Sequence, residues 1–406
     1  MFGIRRGLFT SAFLVPLLLL ISCARMSGVD ENIVVLADGE ALLKDATEYA
    51  KDQDLPIDEA VRRLELQDDV GRLDGQLTRG EPDAYGGLWL QHEPEFKVIV
   101  NTTGDSEKIA DYTRGTLLAQ GVEIEVRKVA KSLKRLEADQ QLVIDTLENL
   151  KLPSESSVNV FTNQVELHVK DAVRLNSLLR AAGLLGVLEG VQVTTVDSFM
   201  SMQIGMYAGR KMYCTTGYSV RDSHGLHGIS TASHCPDNNI YYEDPSGSPD
   251  MRLVGQWFGN SDVQWNRHIS GTHSYLPWAA DNEPTSQGTR YYREIYSNVN
   301  RPEQALNLYV CKYGVVTRFT CGYIKSKTQT AGGDYSGHAT YIRVGKQGAV
   351  LSKAGDSGGP WYEGHAALGI HHGGFPDPSH PYYGQSVYTA INYVTDRGLI
   401  ILHAPR

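Results

Sequence analysis

A serine surrounded by glycines lies near the end of the chain, in the run Gly-Asp-Ser-Gly-Gly-Pro that spans residues 355–360. A hydroxyl is a weak nucleophile near neutral pH, so it needs a base within hydrogen-bond reach and N–H donors for the oxyanion. Glycines let the backbone turn sharply and let a substrate chain approach closely. We therefore predict that Ser357 is a nucleophile, and that the backbone N–H groups of Gly355 and Ser357 form an oxyanion hole.

The base and its orienting acid must come from elsewhere in the chain. His234, in the run Thr-Ala-Ser-His-Cys, is the candidate base. Asp262 is the favoured acid because it begins an apolar run, Asp-Val-Gln-Trp, whereas the rivals Asp244 and Asp281 start no such strand. Ser357, His234 and Asp262 would then work as nucleophile, general base and orienting acid.

Five cysteines are present, and one of them, Cys23, follows the apolar N-terminal stretch. The other four form an even set of two local pairs, with spacings of 21 and 10 residues: Cys214, Cys235, Cys311 and Cys321. An even set in an exported chain indicates disulfides. No Cys-x-x-Cys or Cys/His zinc spacing occurs, and the glycines beside His224 and His227 favour a turn over a metal-binding helix face, so we predict no metal site.

Four motifs in order resemble the bacterial branch of the chymotrypsin family, typified by alpha-lytic protease and the streptogrisins. They are Cys-x-x-Gly-Tyr-Ser-Val from Cys214, Thr-Ala-Ser-His-Cys, the paired runs around Cys311 and Cys321, and Gly-Asp-Ser-Gly-Gly-Pro. The resemblance covers residues 200–400. It implies two six-stranded β-barrels with the active site between them, endopeptidase activity without a cofactor, and the disulfides Cys214–Cys235 and Cys311–Cys321. It also implies that Asp356 pairs with a basic group, for which Lys312 is a candidate.

The run Gly-Ile-His-His-Gly-Gly at residues 369–374 matches the strand on which this family binds its substrate in antiparallel pairing. The predicted substrate-binding residues are His371, His372, Gly373, Gly374 and Ala354. The resemblance places His372 where a serine usually supports the triad aspartate, and His371 where glutamate-specific members carry a histidine.

Two specificities follow equally from this region. Leu351 lies where trypsin-like members have an acid, and Lys353 and Ala354 flank the other wall of the pocket. A cationic pocket predicts cleavage after Glu or Asp. Alternatively, His371 only lines an apolar pocket, and the enzyme cleaves after medium-sized apolar residues.

The two halves of the chain differ in composition. Residues 1–200 carry a net charge of −11 and 3 of the 22 tyrosines, whereas residues 201–406 carry +2 and the other 19. Apolar periodicity predicts helices over 40–80 and 129–150, strands near 96–100 and 122–126, and a hairpin over 158–169. The second half has short β-prone runs broken by Gly, Pro, Asn and Asp, which is typical of a barrel or sandwich. This charge balance gives no reason to expect nucleic-acid binding.

The N-terminus has the pattern of an export signal. Arg5 and Arg6 precede an apolar stretch from Phe9 to Ile21, which is too short for a confident membrane span. The run Leu-Ile-Ser-Cys resembles a lipobox that would lipidate Cys23, while Ser22-x-Ala24 fits ordinary signal cleavage equally well. We therefore predict a protein that is secreted, or else an outer-membrane or cell-surface lipoprotein anchored at Cys23.

Together these patterns predict an export signal (1–23), an α/β pro region (24–198) and an all-β trypsin-like domain of two six-stranded barrels (199–406). The pro region would act on its own protease domain as intramolecular chaperone and inhibitor, with a junction within 194–200; the alternative is a permanent first domain. The predicted function is a serine endopeptidase acting on polypeptides. The competing hypothesis is a catalytically silent homologue that binds peptides or partners.

Overall fold

The computed structural model describes residues 33–37, 39–113, 121–202, 214–236, 251–269, 274–282, 289–332 and 338–405. The predicted export signal with Cys23, and the rival acid Asp244, lie outside these described residues. No helix within the described ranges is long and apolar enough to cross a membrane.

The first half is built from helices and small sheets, as its apolar periodicity predicts. Its helices are α1 (Glu40–Gln53), α2 (Ile57–Glu65), α3 (Gln67–Gly80), α4 (Ser106–Thr113), α5 (Leu133–Asn149) and α6 (Ala172–Ala181). Its strands are β1 (Ile33–Leu36), β2 (Tyr85–Gln91), β3 (Lys97–Thr102), β4 (Glu123–Lys128), β5 (Ser154–Asn159), β6 (Gln164–Val169) and β7 (Val191–Thr195).

Local sequence explains where the two C-terminal helices of this half begin. The side chains of Ser132 and Asp171 each accept a hydrogen bond from the backbone N–H three residues later, which caps α5 and α6. Strands β2, β3 and β4 form one three-stranded sheet, and β5, β6 and β7 form another. The predicted hairpin is the antiparallel pair β5–β6, with Asn163 in the left-handed conformation at its turn.

The second half is almost entirely β-structure. Its elements are β8 (Ser201–Met202), β9 (Ser219–Arg221), β10 (His227–Thr231), β11 (Met251–Trp257), β12 (Val263–His268), β13 (Trp278–Asn282), β14 (Arg290–Glu294), β15 (Ser297–Asn298), β16 (Tyr309–Gly314), β17 (Arg318–Gln329), β18 (Tyr341–Gly345), β19 (Pro360–Glu363), β20 (Ala366–Gly374), β21 (Ser386–Ala390), α7 (Ile391–Thr395) and β22 (Ile400–Ile401).

Six of these strands form a closed barrel. The order is β20-β19-β16-β17-β18-β21, and β21 pairs back onto β20. Strands β11, β12, β10, β9 and β22 form a separate five-stranded sheet. The described residues therefore contain one closed six-stranded barrel and one open five-stranded sheet, where the sequence predicts two six-stranded barrels.

The first half packs directly on the β domain. Strand β1 pairs in parallel with β14, which extends the β13–β14 hairpin to three strands. The amide of Gln67 in α3 donates to the carbonyl of Tyr309, and the backbone N–H of Tyr309 donates to Gln67 at 2.5 Å. Apolar residues of both halves share one core, in which Trp89 and Leu306 form an isolated bridge.

Candidate active site

Ser357, His234 and Asp262 meet at the junction of the barrel and the five-stranded sheet. His234 follows β10, Asp262 immediately precedes β12, and Ser357 lies in the turn before β19. The His234 Nδ1 atom lies 2.6 Å from an Asp262 Oδ2 oxygen, and its Nε2 atom lies 2.8 Å from the Ser357 Oγ atom. An ionised carboxylate only accepts hydrogen bonds, so Nδ1 carries the proton and Nε2 accepts the hydroxyl proton of Ser357.

Asp262 is fully buried and satisfied by hydrogen bonds on both oxygens. Its Oδ1 atom accepts from the Ser233 hydroxyl at 2.5 Å and from the backbone N–H of His234 at 3.0 Å. Its Oδ2 atom accepts from His234 and, at 2.5 Å, from the Nδ1 of His372. Burial works to raise the pKa of Asp262, but the two imidazoles outweigh burial and hold that pKa well below its usual value. The carboxylate is therefore charged at neutral pH.

The loop that carries Ser357 is held by a buried ion pair. The Lys312 ammonium lies 3.2 Å from an Asp356 carboxylate oxygen, and both side chains are completely inaccessible to solvent. Burial opposes ionisation of Asp356, yet Lys312 and several hydrogen bonds lower its pKa to about 2. The structure thus brings together the pair that the motif positions suggest.

Two glycines of this loop have left-handed backbones, with φ of 106° at Gly355 and 87° at Gly358. A Cβ atom at Gly358 would lie 1.9 Å from the Thr231 hydroxyl and 2.2 Å from the Thr215 carbonyl. Only glycine fits there. The Thr215 hydroxyl donates to the carbonyl of Gly355, and its backbone N–H donates to the carbonyl of Ser357. These contacts fix the backbone on both sides of the predicted oxyanion hole.

The predicted substrate strand is β20, and a segment of the same chain lies on it. Gly373 and Gly374 pair in antiparallel register with Met202 and Ser201 of β8. The disulfides are Cys214–Cys235, beside His234, and Cys311–Cys321, across the β16–β17 hairpin.

His371 is buried within the barrel, where the indole N–H of Trp361 donates to its Nδ1 atom at 3.3 Å. Burial, and then the nearby Lys312 ammonium, hold the pKa of His371 well below its usual value. Lys353 and Ala354 are exposed, while Leu351 is buried. Among the predicted pocket residues, His371 therefore supplies a buried imidazole, while Lys353 carries its charge at the surface.

Asp281, the other candidate for the orienting acid among the described residues, binds different side chains. Its carboxylate accepts from the guanidinium of Arg293 and from Lys44 of α1, away from His234. His224 is exposed in the predicted turn, where Gly225 has a φ of 78°. Neither residue joins the site.

Sequence reasoning missed three residues around Asp262. Ser233 donates to its carboxylate, the Thr389 hydroxyl accepts its backbone N–H at 3.1 Å, and Tyr341 stacks on His372 with ring centroids 4.7 Å apart. Ser233 lies inside the Thr-Ala-Ser-His-Cys run, so adjacency to His234 was a usable signal. Thr389 and Tyr341 carried no local signal, because they come from distant strands.

A second buried cluster lies between the two halves. Glu155 of β5 and His168 of β6 face His380 of the β domain, with His380 Nε2 3.4 Å from a Glu155 oxygen. The other Glu155 oxygen accepts from the backbone N–H of Met200. The Tyr382 backbone N–H donates to His380 Nδ1, which leaves the His380 proton on Nε2, facing Glu155. With this tautomer, His380 can donate a hydrogen bond to Glu155 but offers no free Nε2 lone pair for a metal ion.

The barrel, its companion sheet and the hydrogen-bonded set of Ser357, His234 and Asp262 resemble a trypsin-like serine protease. No protein-family model matches the chain. The chain is 22% identical over 385 residues to serine protease 1 of Rarobacter faecitabidus, covering 89% of this chain and 63% of that relative. It is 23% identical over 270 residues to serine protease 1 of Streptomyces fradiae, covering 64% and 71%.

Solved structures of proteases are also among the matches to this chain. Protease A of Thermobifida fusca is 26% identical, with 49% of this chain and 95% of that chain covered and a TM-score of 0.38. A Nocardiopsis protease is 21% identical, with 50% and 97% covered and a TM-score of 0.38.

Proposed function

We propose that this chain is the precursor of a secreted serine endopeptidase in which Ser357, His234 and Asp262 form the catalytic triad. The observation that carries the proposal is the continuous hydrogen-bond path from Ser357 Oγ to His234 Nε2, and from His234 Nδ1 to Asp262. The curated relatives named serine protease support it. Ser357 attacks the peptide carbonyl, His234 passes the proton to the leaving amine, and Asp262 stabilises the imidazolium.

Charge that develops on the carbonyl oxygen needs fixed donors. We assign this role to the backbone N–H groups of Gly355 and Ser357, on the loop anchored by Asp356 and Lys312. Such preorganised donors stabilise the oxyanion more in the transition state than in the ground state. We assign the binding of the substrate backbone to Gly373 and Gly374 on β20, and a wall of the specificity pocket to the exposed Ala354.

Covalent labelling of Ser357 tests the triad. Mature protein is treated with a fluorophosphonate probe, and the labelled peptide is identified by mass spectrometry. Wild type is expected to label at Ser357 alone, while Ser357→Ala and His234→Ala remain unlabelled and hydrolyse no peptide. A folded wild-type protein that neither labels nor cleaves a mixed peptide library would favour the silent, peptide-binding homologue.

The first half, predicted as a pro region over 24–198, is proposed to inhibit the mature enzyme and to assist its folding. The support is β8, which pairs with Gly373 and Gly374, the two glycines predicted to bind substrate. Glu155 holds the neighbouring Met200 through its backbone N–H. Residues up to Met202 therefore belong on the inhibitory side, which moves the expected cleavage beyond the predicted 194–200 junction.

N-terminal sequencing of the active secreted protein tests this reading. We expect a new N-terminus between Met202 and Cys214, and a purified first half that inhibits the mature enzyme when added in trans. Ser357→Ala tests whether maturation is autocatalytic, because this variant should then remain uncleaved. An active enzyme that retains the whole first half would instead establish a permanent domain.

The protonation state of His371 bears on which of the two predicted specificities the enzyme has. The indole N–H of Trp361 can only donate, so the His371 Nδ1 atom must keep its lone pair and the ring stays neutral. This arrangement supports cleavage after medium-sized apolar residues. A neutral His371 offers a substrate carboxylate only the N–H of its Nε2 atom, whereas a protonated ring would add a charge at the loss of the Trp361 bond. A peptide library varied at the residue before the scissile bond decides, and an acidic preference that strengthens as the pH falls would support the acidic alternative.

Export is the remaining part of the proposal. Both predicted routes begin with the N-terminal signal, and they differ at Cys23. Mass analysis of protein from cells and from medium distinguishes them, since lipidation adds acyl mass and holds the protein at the membrane. Cys23→Ser is expected to release the protein to the medium only if Cys23 is lipidated.

A further inference from the structure

His372 lies where the family resemblance leads one to expect a serine, yet its side chain is built into the site. It is completely buried, its Nδ1 atom lies 2.5 Å from the Asp262 Oδ2 atom, and its ring stacks on Tyr341. The His234 and His372 rings meet edge-on, with centroids 5.6 Å apart. One carboxylate oxygen therefore receives two imidazole N–H groups.

We propose that His372 is a positioning residue for the triad, holding the Asp262 carboxylate toward His234 in place of a serine hydroxyl. The inference rests on the proposed triad and deepens it. The charged and titratable groups that face Asp262 are His234 and His372, and its other partners are the hydroxyls of Ser233 and Thr389. Stacking on Tyr341 fixes the plane of the His372 ring, so its N–H donates in one direction.

The His234 and His372 N–H groups both stabilise the charge of Asp262. Each N–H donor to a buried carboxylate stabilises its ionised form. Removing the His372 donor raises the cost of keeping Asp262 charged. It also leaves the remaining charge more fully directed at His234, which favours the imidazolium. Both effects move the acid limb of the kcat/KM profile to higher pH.

The test compares three variants of mature enzyme. His372→Phe removes the donor while keeping a ring that stacks on Tyr341, and His372→Ser and His372→Asn restore a donor. We expect His372→Phe to lower kcat on the order of 10- to 100-fold, the range known for outer partners that orient metal-bound histidines. KM should change little, and the acid limb should move to higher pH. The serine variant should recover kcat and the position of the acid limb.

Proton NMR gives a readout that does not depend on turnover. Wild type should show two strongly deshielded imidazole N–H protons, one from His234 and one from His372, and His372→Ser should retain only the first. Should His372→Phe fail to fold, the comparison rests on the serine and asparagine variants and on this spectrum.

The outcomes separate this inference from the proposed function. A wild-type enzyme that neither labels nor cleaves would overturn the triad itself. A wild type that is active, with a folded His372→Phe variant of unchanged kcat and unchanged acid limb, would overturn the positioning role alone. A change in KM or thermal stability without any movement of the pH profile would assign His372 a merely structural role.

Discussion

Lys312→Met should destabilise the loop that carries Ser357, because it leaves the Asp356 charge buried without its cation. Removing one partner of a buried ion pair costs about 3–5 kcal/mol. Asp356 keeps four other donors: the hydroxyl and backbone N–H of Thr317, at 2.5 and 3.1 Å, and the N–H groups of Val316 and Lys353, at 2.9 and 3.0 Å. These donors place the expected loss at the lower end, about 3 kcal/mol.

The assay is denaturant unfolding of the full chain in a Ser357→Ala background, where autolysis cannot occur. Asp356→Asn and the double variant complete a mutant cycle. We expect Lys312 and Asp356 to be coupled by about 2 kcal/mol, within the range for contacting residues. The matched activity measurement is the rate of Ser357 labelling in the active background, which should fall with Lys312→Met.

The pH dependence has a definite sign. The pKa of Asp356 falls from 3.8 to about 2 on folding, so its stabilisation is present above pH 4 and is lost as the pH falls toward 2. Without Lys312 the folded-state pKa rises toward the unfolded value of 3.8, so the stability that acid removes should become smaller than in the parent. If Lys312→Met unfolds within about 1 kcal/mol of its parent and labels at the parent rate, the ion pair does not hold the loop and the reasoning is refuted.

Three further predictions follow from other contacts. Asp262→Asn should lower kcat about 10⁴-fold with the fold retained, because an amide does not select the His234 tautomer; a loss below tenfold in steady-state kinetics would remove Asp262 from the triad. Gly358→Ala should abolish secretion of folded enzyme, since its Cβ would lie 1.9 Å from the Thr231 hydroxyl, and recovery of normal amounts of active protein would contradict this. Glu155→Gln should weaken inhibition by the first half added in trans, because it loses the carboxylate facing Met200 and His380. An unchanged inhibition constant would show that these Glu155 contacts are not needed for inhibition.

The local sequence determined the position of many helices and strands and the choice of candidate site residues. The periodicity of apolar residues located α1, α2, α3, α5, β3, β4 and the β5–β6 hairpin, because 3.6-residue and two-residue repeats are set by the backbone alone. It did not indicate α4, α6, β1, β2 or β7. The glycines around Ser357 and the position of His234 beside Cys235 pointed to the nucleophile and base that we propose, since sharp turns and close approach require particular residue types. Asp262 was selected among three acids because it begins an apolar strand.

The tertiary structure decided what distant residues do to one another. The sequence alone placed His372 where the resemblance leads one to expect a serine, whereas the fold brings its Nδ1 atom onto Asp262. Only the fold brings Trp361 onto the Nδ1 atom of His371, a contact that favours a neutral ring. The pairing of Ser201 and Met202 with β20 depends on where the two halves pack. The contacts of His372 with Asp262 and of Met202 with Gly373 join residues more than a hundred positions apart. No local pattern encodes them, because partner choice depends on strand order and register across the whole barrel.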